Sequence, residues 1–136
     1  MKGWAWDHFK PEEVLSPQGL KILYSQGTCL INYQLLNRLE AFRLKLGKPI
    51  LVNFAGLQYR GYRDCQENKK VGGAELSMHL SGLAVDVTVQ GMTASQVAEV
   101  AELSELFTGI GVSDKKNFCH LDIRQNIEKV ITKWIY

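Results

Sequence analysis

The chain has 136 residues, of which 46% are hydrophobic and 22% charged, with a formal net charge of +2. That length suits one domain, residues 1–136, with one sizeable core, and the composition is ordinary for a soluble globular protein. No apolar run approaches ~18–20 residues, which argues against membrane insertion, and no lysine or arginine run is long enough to make a nucleic-acid face.

The first residues, Met1 to His8, have no apolar h-region and no small-residue cleavage pattern. The expectation is a protein that is cytoplasmic as synthesised and reaches a cell wall only after release or delivery. A monomer is expected. Cys29, Cys65 and Cys119 are odd in number and widely spaced, so no disulfide framework is implied. Cys119 reads as a small buried apolar residue.

In chain order, Ser16-Pro17 opens a helix with a cap and a first-turn proline, and Gly27 ends it. Leu20, Leu23 and Tyr24 form its apolar stripe. A second helix is predicted from Leu30 to Leu46, with Leu35, Leu36, Leu39, Phe42 and Leu46 at helical spacing and Gly47-Lys48-Pro49 as its stop. Ile50 to Phe54 reads as a buried strand. Periodicity fades from Ala55 to Ser77, a stretch long enough to suggest a functional loop.

Leu83 to Val89 returns to strand. Val85, Val87 and Val89 face the core there, and Asp86 and Thr88 face outward. Thr93-Ala94-Ser95-Gln96 is a capping box for a helix carrying Val97, Ala98, Ala101 and Leu103 to Leu106. Short strands follow at Phe107–Val112 and Phe118–Ile123, then a last helix from Asn126 to Trp134 with Ile127, Val130, Ile131 and Trp134 on one face. This order predicts an α+β fold with a small, mostly antiparallel sheet flanked by helices.

Chemistry concentrates in three residues, His79, Asp86 and His120. His79 precedes a bend at Gly82, and Asp86 lies in the following strand. On the strand from Phe118, alternation puts Cys119, Leu121 and Ile123 toward the core and His120 and Asp122 on the open face. If the two strands pair, two imidazoles and a carboxylate meet. Such a set holds Zn2+ and leaves a position for water, which suits hydrolysis. A histidine taken singly is more often structural, and His8, among Trp6, Asp7 and Phe9, illustrates that reading. A tetrahedral oxyanion needs a positive partner, for which Arg63 is the first candidate and Arg60 the second. Either arginine could instead clamp a substrate carboxylate or simply pair with Asp64 or Glu67.

Several segments together resemble one family. They are Gly61-Tyr62-Arg63, Asn68 with Val71-Gly72-Gly73-Ala74, Ser77-x-His79-x-x-Gly82-x-Ala84-x-Asp86, Gly109-Ile110-Gly111, Phe118-x-His120-x-Asp122-x-Arg124, and the terminal Trp134-Ile135-Tyr136. The chain is similar to the zinc D-Ala-D-Ala carboxypeptidases, peptidase M15, whose metal-site fold is shared with bacterial dipeptidases and the amino-terminal domain of hedgehog proteins. The segment from Tyr59 to Arg63 resembles phage or prophage versions.

The resemblance implies zinc on His79, Asp86 and His120, transition-state or carboxylate contact by Arg63, and substrate contact by Ser77. It implies peptidoglycan peptides, cut beside a D-amino acid, as substrate. Better-studied members carry an acid three residues before the last histidine as general base. Here that position is Asn117, which leaves Asp114 and Asp122 as candidate bases. The missing acid also motivates an alternative, a metal-stabilised domain that binds cell-wall peptide or serves a phage structure without turnover.

Overall fold

A computed structural model describes residues 4–126, 128 and 130–136. The elements run α1 (Pro11–Val14), α2 (Pro17–Gln26), α3 (Tyr33–Leu46), α4 (Cys65–Lys70), β1 (Ala84–Val87), α5 (Ala94–Ser104), β2 (Gly109–Ser113), β3 (Phe118–Asp122) and β4 (Thr132–Ile135). The four strands form one sheet in the order β1-β3-β2-β4. β3 pairs antiparallel with β1 and β2, and β4 runs parallel to β2. The fold is a small α+β fold with a mixed sheet flanked by helices.

The helix ends follow local chemistry. The Ser16 hydroxyl accepts from the Gly19 N–H, and the Thr93 hydroxyl accepts from the Gln96 N–H within a full capping box. Gly27 and Gly47 close α2 and α3 in the left-handed region that glycine adopts at little cost. α3 starts at Tyr33 under an Asn32 cap, three residues later than predicted. In α2 only Leu23 of the predicted stripe is buried; Leu20 is half-buried and Tyr24 points to solvent. Leu103 is likewise exposed, since α5 ends at Ser104.

One face of the sheet carries the core. Val85, Val87, Ile110, Cys119 and Leu121 pack with Leu35, Leu36, Leu39 and Phe42 of α3 and with Val97 and Ala101 of α5. Phe42 meets Phe107 edge to face at 5.3 Å. Burial pushes the Cys119 thiol up to about 12, so it stays a neutral packing group.

Three predicted elements differ. Residues 50–54 make only isolated bridges, Leu51 with Thr88 and Phe54 with Leu57. Ile50 and Val52 are buried as a strand would have them, but the Asn53 N–H leaves the sheet direction and donates to the Glu13 carbonyl. The expected loop from 55 to 77 contains α4, started by Asp64 and Glu67 in a reciprocal capping box. The expected helix from Asn126 to Trp134 is replaced at its end by β4; Ile127 lies outside the described residues. Val130, Thr132, Trp134 and Tyr136 alternate, and β-branched residues at 130–132 favour extended backbone. Gly111 offers Trp134 a place against the sheet.

Candidate metal centre

The face of the sheet opposite the core carries the polar residues, and register decides where they meet. Asp86 of β1 pairs with His120 of β3, which pairs with Gly111 of β2, which pairs with Trp134 of β4. A second row runs Ala84, Asp122, Gly109 and Thr132. His79 arrives from the turn before β1. Gly82 (φ 72°) makes that turn possible, because a Cβ there would lie 2.0 Å from the Leu30 carbonyl oxygen.

His79 and His120 each have one ring nitrogen committed elsewhere. His79 Nδ1 lies 2.9 Å from the Gly61 carbonyl oxygen, which can only accept, so Nδ1 carries the proton and Nε2 offers its lone pair. His120 Nε2 lies 2.8 Å from Asp122 Oδ2, so in the neutral ring Nε2–H donates and Nδ1 is free. Both free nitrogens converge on Asp86 Oδ1, at 3.2 Å from His79 Nε2 and 3.1 Å from His120 Nδ1. Ligands at ~2.0–2.1 Å around a tetrahedral ion stand roughly 3.3 Å apart. The three ligand atoms, all within 4.8 Å of one another, therefore fit a shared cation.

Electrostatics supports the same role. Burial opposes the charged form of Asp86, yet the two histidines hold its carboxyl well below the usual carboxylate range. Burial likewise opposes charge on Asp122, but hydrogen bonds from His120 and Arg124 keep it ionised. His120 is pulled in two directions. Burial lowers its affinity for a proton, and Asp122 and Asp86 together raise it above the ordinary value. The two carboxylates thus favour positive charge at His120, the same charge that a cation shared by the trio would bring.

Asp122 is fully buried and bound bidentately by Arg124, with Nε at 2.9 Å from Oδ1 and Nη2 at 2.7 Å from Oδ2. It has room because Gly109 has no side chain: a Cβ there would lie 2.1 Å from Asp122 Oδ1. Gly111 does the same for Trp134, whose indole a Cβ would meet at 2.5 Å. The two glycines of β2 are sockets for side chains on the neighbouring strands.

Residues 7–122 match the Peptidase M15 family.

The chain belongs to the Peptidase M15 family.

No curated protein matches it. The matched stretch of this M15 chain holds all three candidate ligands and ends before β4.

The trio opens into a groove of about 1030 Å³, whose lining includes Arg60, Arg63, Ser77, Phe118, Arg124 and Tyr136. Arg63 is buried and held by two acceptors, the Asn68 Oδ1 at 2.8 Å from Nε and the Tyr59 carbonyl at 2.8 Å from Nη1. Its Nη2 lies against Gly73, where a Cβ would approach it to 2.8 Å. Burial lowers the Arg63 proton affinity and Asp86 counters this. Arg60 donates to Thr88 Oγ1 and is flanked by the rings of Phe54 at 5.5 Å and Phe118 at 5.4 Å. The Ser77 hydroxyl accepts from the His79 N–H, which steadies the turn that bears His79.

The two candidate bases take other positions. Asp114 accepts from the N–H and hydroxyl of Ser95 at the start of α5, and lines a different cleft between α5 and β4. Asp122 faces the back of His120 rather than the groove. Asn117 sits exposed in the β2–β3 turn at φ 54°, with its carbonyl accepting from Thr88 Oγ1. Sequence reasoning assigned no structural task to Asn68, Gly109 or Gly111 and placed Trp134 in a helix. The alternate glycines of Gly109-Ile110-Gly111, inside a strand pattern, were the available signal.

Proposed function

We propose that the protein is a zinc-dependent peptidase that hydrolyses peptide bonds beside D-amino acids in peptidoglycan stem peptides or cross-links. The observation that carries this reading is the convergence of His79 Nε2, Asp86 Oδ1 and His120 Nδ1 in the groove that Arg63 also lines. Family membership supports it.

His79, Asp86 and His120 would hold the ion. Zinc bound there supplies Lewis acidity and brings the pKa of a bound water to about 7. Arg63, fixed by Asn68 and Tyr59, is placed to balance charge on the scissile carbonyl oxygen as it becomes tetrahedral. Arg60, held rigid between two rings, is suited to a substrate carboxylate. Among the described residues, the side chains lining the groove include Arg60, Arg63, Arg124, Lys115 and Lys116 against one side-chain carboxylate, Asp86. That imbalance suits an anionic peptide, which a stem peptide is.

The test is purified protein loaded with zinc and offered peptidoglycan and D-amino-acid-ending peptides. Cleavage that His120→Ala abolishes, together with most of the metal, supports the proposal. Absence of cleavage with zinc bound, across carboxypeptidase and endopeptidase substrates, contradicts it. One observation favours a second reading: among the described residues lining the groove, no carboxylate is free to serve as general base. A zinc-stabilised cell-wall-peptide binding domain would bind zinc and muropeptide tightly without turnover.

A further inference from the structure

β4 lies beyond residues 7–122, and its Trp134 touches His120, one of the three candidate metal ligands. The Trp134 and His120 rings are 5.0 Å apart between centroids, inclined by 52°. Arg124, which grips Asp122, places its guanidinium carbon 4.9 Å from the centre of the same indole. Four side chains therefore close a circuit: Trp134 on His120, His120 on Asp122, Asp122 on Arg124, and Arg124 back on Trp134.

Within this circuit the His120 ring has two restraints. The hydrogen bond from Nε2 to Asp122 fixes one edge and the contact of Nδ1 with Asp86 Oδ1 another, but contacts at the two nitrogens leave the ring free to tilt about the line between them. The indole blocks that motion from the side. Gly111 is what allows the contact, since it stands between His120 and Trp134 in the register and any side chain there would displace the indole. Backbone pairing anchors the strand itself: the Thr132 N–H donates to the Thr108 carbonyl and the Tyr136 N–H to the Val112 carbonyl.

We propose that Trp134 is a positioning residue for the metal ligand His120, so that the C-terminal strand is part of the metal centre. The inference rests on the metal-binding part of the proposed function and not on turnover. Groups that orient a metal ligand typically change metal affinity 10–100-fold when removed.

The experiment measures zinc affinity of the full chain by competition with a chromophoric chelator. Trp134→Ala is expected to weaken zinc at least tenfold while far-ultraviolet circular dichroism stays unchanged. Trp134→Phe, which keeps an aromatic face on His120, is expected to recover most of the loss. Unchanged affinity in Trp134→Ala overturns the proposal, as does a loss that Trp134→Phe does not recover. If Trp134→Ala fails to fold, a Trp4→Phe/Trp6→Phe variant leaves Trp134 as the single indole. Co2+ is then expected to quench its fluorescence with one-to-one stoichiometry. Bound Co2+ without quenching also overturns the inference. Failure of the unaltered protein to bind zinc at all would instead remove the proposed function itself.

Discussion

Asp122 Oδ2 lies 2.8 Å from Nε2 of His120, on the side of the ring away from Asp86. This one contact assigns the residue its work. A carboxylate that looked like a spare base in the sequence is the group that sets the tautomer of a candidate metal ligand. Full burial and the bidentate clasp of Arg124 leave it no route to a substrate.

Asp122→Asn removes the charge that favours an Nε2–H tautomer. Zinc affinity is expected to fall about 10–100-fold, measured by chelator competition. An unchanged affinity would mean that the ring holds its orientation without the charge.

Gly109→Ala presses a methyl group onto the Asp122 carboxylate, at 2.1 Å in the unrelaxed structure. Overpacking of this kind costs about 1–3 kcal/mol. Urea denaturation should show that loss, together with weaker zinc binding, because the carboxylate displaced is the one that holds His120 through its Oδ2.

Arg63→Lys keeps a positive charge but cannot bond Asn68 and the Tyr59 carbonyl while still reaching the groove. On a cleaved substrate, kcat is expected to fall about 10²–10³-fold, with zinc affinity unchanged. A parallel loss of metal would show that Arg63 supports the site rather than the reaction.

Asn117→Glu restores the acid expected three residues before His120. Residue 117 is exposed, left-handed and outside the groove lining, so the new carboxylate should not reach the reacting atoms. The rate is expected to change by less than about threefold. A gain approaching the ~10²-fold worth of a general base would show that the turn moves inward.

As pH rises past 6.5, the metal-free protein should lose stability while the stabilisation added by zinc grows. Asp86 and Asp122 have folded pKa values below the ordinary 3.8, so their contribution to stability is present above 3.8 and lost as pH falls through the folded values. His120 has a folded pKa above 6.5, so its contribution is full below 6.5 and lost as pH rises through the folded value. From these three groups, the metal-free protein is most stable between 3.8 and 6.5. Zinc needs a neutral His120, so the rise in Tm on adding zinc should be larger at about pH 8 than at about pH 5.5. Equal increments would mean that His120 carries no proton to be displaced.

Much of this site was legible in the residues. Alternation along Phe118–Asp122 placed His120 and Asp122 on one face, and the capping signals of Ser16 and Thr93 opened the helices as observed. Period-2 burial along Val85, Val87 and Val89 likewise put Asp86 outward. What was hidden depends on partners distant in sequence. Ile50 to Phe54 has the residues of a strand, but a strand needs a neighbour, and the Asn53 N–H goes to Glu13 instead. Val130 to Tyr136 fits both a helical stripe and an alternating strand, and only Gly111, about twenty residues earlier, resolves the ambiguity by receiving Trp134. Asp114 looked free to turn toward His120 because nothing local shows that Ser95 holds it. Asp64-x-x-Glu67, a capping signature within a glycine-rich stretch, was readable and went unread.

The central claim is tested most directly by a zinc-bound crystal structure phased at the zinc absorption edge. The account predicts one anomalous peak at about 2.0–2.2 Å from His79 Nε2, an Asp86 carboxylate oxygen and His120 Nδ1, with His120 Nε2 still on Asp122. A peak elsewhere, or an ion bound through His120 Nε2 with Asp122 released, would contradict it.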